Sequence, residues 1–194
     1  MDQNLNWIDH INKLTKSLYS SLQILKRFKR STPFKTRKTL AEGLILSKLN
    51  YCNAVYAPSQ QYLLNRLQRL QTCTAGYVTG KYAKSLDVIN LKWLPVEENI
   101  SFSLAKYAFK ALHDQKWPSY LPITTVERRR ELRSNGTGLS LQNGNQNTFQ
   151  NQVAKTFNDL PKNIRECQDE MKYCKEAKSF YFDQALAKSI WKYE

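Results

Sequence analysis

Apolar residues near the start of the chain recur at three- and four-residue spacing: Ile11, Leu14, Leu18, Leu22 and Leu25. That period puts them on one face of a helix over residues 7–29, with Lys13, Lys16, Lys26 and Lys29 on other faces. Ser31-Thr32-Pro33 ends this helix and starts the next, with Thr32 the expected N-cap and Pro33 at the first helical position. The second helix is expected over 34–57, burying Leu40, Leu44, Leu46, Leu49 and Val55. Gly43 within it costs about 1 kcal/mol relative to Ala, so close packing is expected there. Ala57-Pro58-Ser59 breaks the pattern, and Ser59 is the expected cap of a third helix over 60–78. That helix turns Leu63, Leu64, Leu67, Leu70 and Val78 inward, and Arg66, Arg69 and Gln71 at least partly outward.

Thr79-Gly80-Lys81-Tyr82 reads as a turn, followed by a short helix from Ser85. After Pro95 a long helix over 96–113 carries Val96, Ile100, Leu104, Tyr107 and Ala111 on one face, with Glu97 and Glu98 near its positive end. Trp117-Pro118-Ser119-Tyr120-Leu121-Pro122 closes this helical block. Residues 126–150 change character: Arg, Asn, Gln, Gly and Ser dominate, which fits a flexible linker or short irregular strands around Leu139 and Leu141. Packing resumes with Phe149, Val153, Phe157, Leu160 and Ile164, and a last helix over about 169–191 presents Phe180, Leu186 and Ile190. The expectation is a mostly α fold: a helical bundle over 1–123, a polar basic connector over 124–150 and a small helical C-terminal module over 151–194.

Charge adds a partner class. The 194 residues carry 30 Lys and Arg against 16 Asp and Glu, a net +14 that favours a polyanion. Residues 1–50 hold ten basic and three acidic side chains, whereas 151–194 hold eight and seven, so the excess is at the front. Seven basic residues, Lys26, Arg27, Lys29, Arg30, Lys35, Arg37 and Lys38, fall within thirteen positions with no acid among them. They flank a helix–helix turn where their charges can converge, and phosphates along a strand are their natural complement. Phe28, Phe34 and Tyr19 lie nearby and can stack on bases, although core packing is the favoured reading of these rings. Arg66 and Arg69, three apart on the third helix, can contact phosphates or bridge to a neighbouring helix. Arg128, Arg129 and Arg130 form either a basic strap or a solvated linker. Trp93 reads as a core anchor.

Catalytic chemistry finds no carrier. Nucleotidyl transfer needs clustered carboxylates to hold metal ions, and no Asp-Asp pair occurs. Glu97-Glu98 and Asp169-Glu170 read as solvated helix faces. No phosphate-binding glycine loop or nucleophile elbow is present. Cys52, Cys73, Cys167 and Cys174 form no CxxC pair and lie far from His10 and His113, so no metal or other cofactor is expected. Cys52 and Cys73 read as small core residues. Without an apolar run of about 18 residues, the expectation is a reduced, intracellular, nuclear or cytoplasmic chain with no membrane partner.

Three blocks stand in a telling order: Leu44-Ile45-Leu46-Ser47-Lys48-Leu49-Asn50-Tyr51-Cys52-Asn53, Asn65-Arg66-Leu67-Gln68-Arg69-Leu70-Gln71 and Lys92-Trp93-Leu94-Pro95-Val96-Glu97. Around them stand Asp2-Gln3-Asn4-Leu5-Asn6-Trp7, Arg37-Lys38, Ala111-Leu112-His113, Pro118-Ser119-Tyr120-Leu121, Leu132-Arg133-Ser134, Asn158-Asp159-Leu160-Pro161 with Ile164-Arg165, and Ser179-Phe180. This series resembles the segment after the catalytic palm in reverse transcriptases of non-LTR, LINE-type, jockey-like retrotransposons, and it covers nearly the whole chain. The pattern departs at Asn50, where the family usually has Asp, and at Gly76, where it usually has Arg. The resemblance implies a thumb and post-thumb region without the polymerase carboxylates, hence a non-enzymatic piece that clamps a template-primer duplex by its backbone. RNA or an RNA–DNA hybrid is the implied partner. The alternative is a protein-interaction or self-association module, because a thumb parted from its palm exposes a formerly buried face to the palm or to a second copy; exposure of Leu5, Trp7 and Ile8 would favour it.

Overall fold

The computed structural model describes residues 7–125, 138–142 and 148–191. Among them the chain is mostly α-helical: α1 (Ile8–Arg27), α2 (Phe34–Ala41), α3 (Ser47–Asn50), α4 (Gln61–Thr79), α5 (Ser85–Asn90), α6 (Val96–His113), α7 (Phe149–Asn158), α8 (Lys162–Arg165) and α9 (Glu170–Trp191). A π-helical stretch, Glu42–Leu46, joins α2 to α3, and a 3-10 turn, Asn53–Tyr56, comes after α3. Two compact units are distinguished: Met1–Asn99 with Phe182–Glu194, and Ile100–Tyr181. Their boundaries at 99 and 181 fall within α6 and α9, at other places than the expected 123 and 150. None of the described helices is long and apolar enough to cross a membrane.

In the first unit, α4 is the common partner, with α1, α2 and α5 all packed on it. Ile11, Leu18, Leu22 and Leu25 of α1 and Leu63, Leu64, Leu67 and Leu70 of α4 are buried, the stripes expected from their helical period. Two glutamines of α4 then fix the entry to α6. Gln71 Nε2 donates to the Leu94 carbonyl at 2.8 Å, and the Val96 amide donates to Gln68 Oε1 at 2.8 Å. Trp93 is buried and donates through Nε1 to Glu42 Oε1 at 2.8 Å, so it anchors the core. Glu98, expected on a solvated face, is instead 5% exposed, and Lys188 Nζ lies 2.7 Å from its Oε1. A buried carboxylate is tolerated only when paired in this way.

Several expected local details differ. Thr32 does not cap α2: its hydroxyl donates back to the Phe28 carbonyl at 2.6 Å, closing the C-terminus of α1, and extended Pro33 precedes α2. Gln60 takes the capping position expected for Ser59. Leu44 and Val55 are exposed, because the π-helical stretch and the break after Asn50 shift the faces that a continuous helix would bury. Gly43 packs against nothing; a Cβ there would meet no atom within 4 Å. Cys52 and Cys73 are exposed rather than core residues.

In the second unit, Ile100, Leu104, Ala105, Ala108 and Phe109 of α6 are buried, while Tyr107 is exposed. Along α9 the buried positions include Tyr173, Ala177 and Tyr181, whereas Leu186 is exposed and Phe180 half-buried. The Ile190 side chain lies outside the described residues. A four-residue repeat of Tyr and Ala thus takes the place of the larger aliphatics in facing the core. The Tyr173 hydroxyl donates to the Ala105 carbonyl at 2.9 Å, and its ring lies 4.7 Å from that of Phe109. Leu139 is buried and bridges Thr125 in an isolated antiparallel pair, consistent with irregular strand structure there. Side-chain amides of α7 act as strand partners: Asn158 exchanges two hydrogen bonds with the Leu139 backbone at 2.8 and 3.0 Å, and Asn151 does so with Gln142 at 2.7 and 3.1 Å.

Leu67→Ala leaves a cavity where α1 meets α4 and is expected to cost about 2–5 kcal/mol in denaturant unfolding, whereas Leu44→Ala stays within about 0.5 kcal/mol. Burial raises the pKa of Tyr173 and of Tyr181 well above the ordinary phenol value. A raised acid favours folding below its unfolded pKa of about 10 and loses that contribution as pH climbs through the folded value. A spectrophotometric tyrosinate titration should therefore show late-ionising tyrosines, with unfolding accompanying their ionisation.

Candidate nucleic-acid interface

Packing the apolar stripe of α1 onto α4 leaves the flanking polar positions of both helices side by side. Lys26 comes from the last turn of α1, Lys29 from the turn after it, and Arg69, Thr72, Cys73 and Gly76 from α4. They line a groove of 1220 Å³ whose further wall is the segment after α4, with Lys81, Tyr82, Ala83 and Lys84. A second hollow of 530 Å³ adjoins it through Tyr19, which lines both, and carries Lys13, Lys16 and Arg66. Eight basic residues thus line the pair of hollows, and no described Asp or Glu lines either. A carboxylate stands just behind the further wall: Asp87 Oδ1 lies 3.3 Å from Lys81 Nζ.

Backbone geometry holds the further wall close. Gly80 ends α4 in the left-handed region at φ 85°, which favours glycine, and turns the chain back. The returning segment then crosses α4 at Gly76, where a Cβ would stand 3.0 Å from the Lys81 carbonyl oxygen. Gly76 therefore permits the approach; it stands where the resembled family usually carries Arg. Ala83 is buried, and the Lys84 amide donates to Asp87 Oδ2 at 2.8 Å. That hydrogen bond, with the Lys81 ammonium, holds the Asp87 carboxyl below the usual carboxylate range despite partial burial. Lys29 Nζ donates to the Gly80 carbonyl at 3.0 Å and ties the two walls together.

Tyr19 and Cys73 meet on the groove wall beside Arg66 and Arg69. Burial, with the neighbouring Cys73, raises the Tyr19 phenol although the two arginines pull it down. The ring is therefore a neutral hydrogen-bonding group across the physiological range.

Of the residues singled out in the sequence, Lys26, Lys29 and Arg69 line the main groove, and Arg66 lines the adjoining hollow, where its Nη1 donates to Asn12 Oδ1 of α1 at 2.5 Å. Arg37 does other work: its Nη1 donates to the Lys29 carbonyl at 3.3 Å, satisfying the end of α1. Lys38 lies 3.9 Å from Glu42. Arg27, Arg30 and Lys35 are exposed and line neither hollow. Arg128, Arg129 and Arg130 lie outside the described residues. Phe28 and Phe34, expected in the core, are 60% and 50% exposed. Sequence reasoning passed over Lys81 and Tyr82 as part of a turn, assigned Lys84 no role, and left Lys13 and Lys16 on faces away from the apolar stripe. The stripe Asn12, Lys16, Tyr19 and Gln23 at three- and four-residue spacing was the available signal.

Trp7 and Ile8 are half-buried; Trp7 lies against His10 and Tyr56, and His10 Nε2 is 3.1 Å from the Tyr56 hydroxyl. Leu5 lies outside the described residues. No group of three or more His, Cys, Asp or Glu placed to hold a metal ion occurs among the described residues. Comparison with protein-family models, curated proteins and solved structures finds no match for this chain.

Gly76→Ala gains up to about 1 kcal/mol of helix propensity but pushes on the Lys81 carbonyl. Amide chemical shifts over 81–85 are expected to move, with a net loss of about 1 kcal/mol or more. Unchanged shifts would mean that Gly76 does not position that wall.

Proposed function

We propose that this chain binds RNA or an RNA–DNA hybrid without catalysis, as the thumb and post-thumb region of a non-LTR retrotransposon reverse transcriptase. The observation that carries the nucleic-acid reading is the acid-free lining of the two hollows, where eight cations from α1 and the turn after it, α4 and the 81–84 segment converge. A lining of one sign repels itself, and a phosphate backbone relieves that repulsion and releases its own condensed counterions. The order of the sequence blocks supports the family assignment. Backbone contact of this kind holds a template-primer in place and does not read its sequence.

A second reading, a self-association or docking module, is favoured by a different observation. Ile24, Phe28 and Phe34, near the end of α1 and the start of α2, are each exposed by half or more.

Fluorescence-anisotropy titration against an RNA strand and an RNA–DNA hybrid, at several salt concentrations, tests the proposal. Combined Lys26→Ala, Lys29→Ala and Arg69→Ala is expected to weaken binding and to flatten the log–log salt slope by about 2, from roughly 0.7–0.9 per lost phosphate contact. Combined Arg27→Ala, Arg30→Ala and Lys35→Ala should change the slope less. Absence of binding at low salt, with concentration-dependent sedimentation, would replace this reading by the second one.

A further inference from the structure

We propose that the main groove seats a single unpaired strand, with the ring of Tyr82 stacking on one of its bases. The inference rests on the nucleic-acid reading of the groove and specifies which form of nucleic acid it takes.

Tyr82 is 93% exposed, while Ala83 next to it is buried. Ala83 faces α4 at Gly76, and the Tyr82 ring stands in solvent on the groove wall. Its backbone is not free to swing. Gly76 lets the segment lie against α4, Asp87 holds the Lys84 amide at 2.8 Å and the Lys81 ammonium at 3.3 Å, and Lys29 grips the Gly80 carbonyl at 3.0 Å. An aromatic face is thus presented on a braced wall between two cations that line the same groove. An exposed ring on an anchored segment loses little freedom when a base stacks on it, which is what a stacking platform needs.

The groove decides between paired and unpaired strands. Its cations come from separate segments: Lys26 at the end of α1 and Lys29 in the turn after it, Arg69 on α4, and Lys81 and Lys84 on the returning segment. Its 1220 Å³ is room for a short run of nucleotides. A duplex is the alternative occupant. Its bases, stacked on each other, would offer Tyr82 no open face, whereas an unpaired strand places phosphates within reach of both walls and leaves bases free to stack.

The test uses the intact chain with a short mixed-sequence single strand bearing one 2-aminopurine, and with the same strand annealed into a blunt RNA–DNA hybrid. Wild type is expected to bind the single strand more tightly than the hybrid and to change the 2-aminopurine fluorescence. Tyr82→Ala, on an exposed side chain that folding does not need, should weaken single-strand binding roughly 5- to 100-fold, abolish that fluorescence change and leave hybrid binding as it was. Tyr82→Phe should retain both signals. Wild-type single-strand affinity and fluorescence in Tyr82→Ala, while combined Lys26→Ala, Lys29→Ala and Arg69→Ala still weakens binding, would overturn the stacking inference and leave the groove reading standing. Tighter binding of the hybrid would overturn the inference as well. No binding of either probe at low salt would overturn both.

Discussion

Packing along α4 is the constraint on which the rest of the first unit depends. Its inner face, with Leu63, Leu67 and Leu70 buried, receives α1, α2 and α5. Helix geometry allows no independent choice for the positions beside that stripe: once the apolar faces of α1 and α4 meet, their neighbouring polar rows flank the same seam. On α1 those rows hold Lys13, Lys16, Tyr19 and Lys26, and on α4 they hold Arg66, Arg69 and Cys73. The cationic groove is a by-product of a hydrophobic packing decision. Its composition, with no described acid on either wall, is a separate property of the sequence that packing does not require.

That composition opposes folding. Like charges gathered beside one seam raise the energy of the compact state, and Asp87, paired with Lys81 behind the further wall, offsets only part of that excess. Elsewhere the chain pairs its charges when it buries them, as at Glu98 and Lys188. Exposed pairs such as Lys38–Glu42 and Lys162–Glu166 contribute little to stability. Lys29, Arg66 and Lys81 have polar partners of their own, but those contacts do not require eight cations on one lining, and the chain as a whole carries a net +14. A polyanion of the kind proposed would relieve that repulsion.

Much of the fold was legible in the sequence because leucine spacing is a strong signal. α1, α4 and α6 lie within a residue or two of the periods that announce them, and their main buried leucines are the expected ones. What escaped was set by backbone detail. Within the π-helical stretch at Glu42–Leu46 the wider turn faces Ile45 and Leu46 to the core and leaves Leu44 at the surface. On α9 the small and hydroxylated residues Ala177, Tyr173 and Tyr181 form the inner face, which a count of aliphatics alone misses. The Asn151 and Asn158 amides pairing with backbone have no sequence signature, because any exposed Asn looks the same until its partner strand is placed. The site was legible in half: charge density pointed to the end of α1, but density in sequence is not convergence in space. Arg37 is drawn into ending a helix, while Lys81 and Lys84 reach the groove from across the fold.

The groove depends more on one missing side chain than on any single cation. At Gly76 the returning segment approaches α4 so closely that a Cβ would sit 3.0 Å from a carbonyl oxygen. A large side chain there would add at most one group to the floor of the groove and would push away the segment that carries Lys81, Tyr82 and Lys84. Glycine in a helix costs about 1 kcal/mol relative to Ala, and the tie between Lys29 and Gly80 would be strained by the same displacement. The approach at Gly76 thus links a helix-propensity loss on α4 to the position of two cations and the most exposed tyrosine of the described chain. Changes at Gly76 should therefore be felt first in the groove and only secondarily in the core, because Leu67 and Leu70 are fully buried and line no part of it.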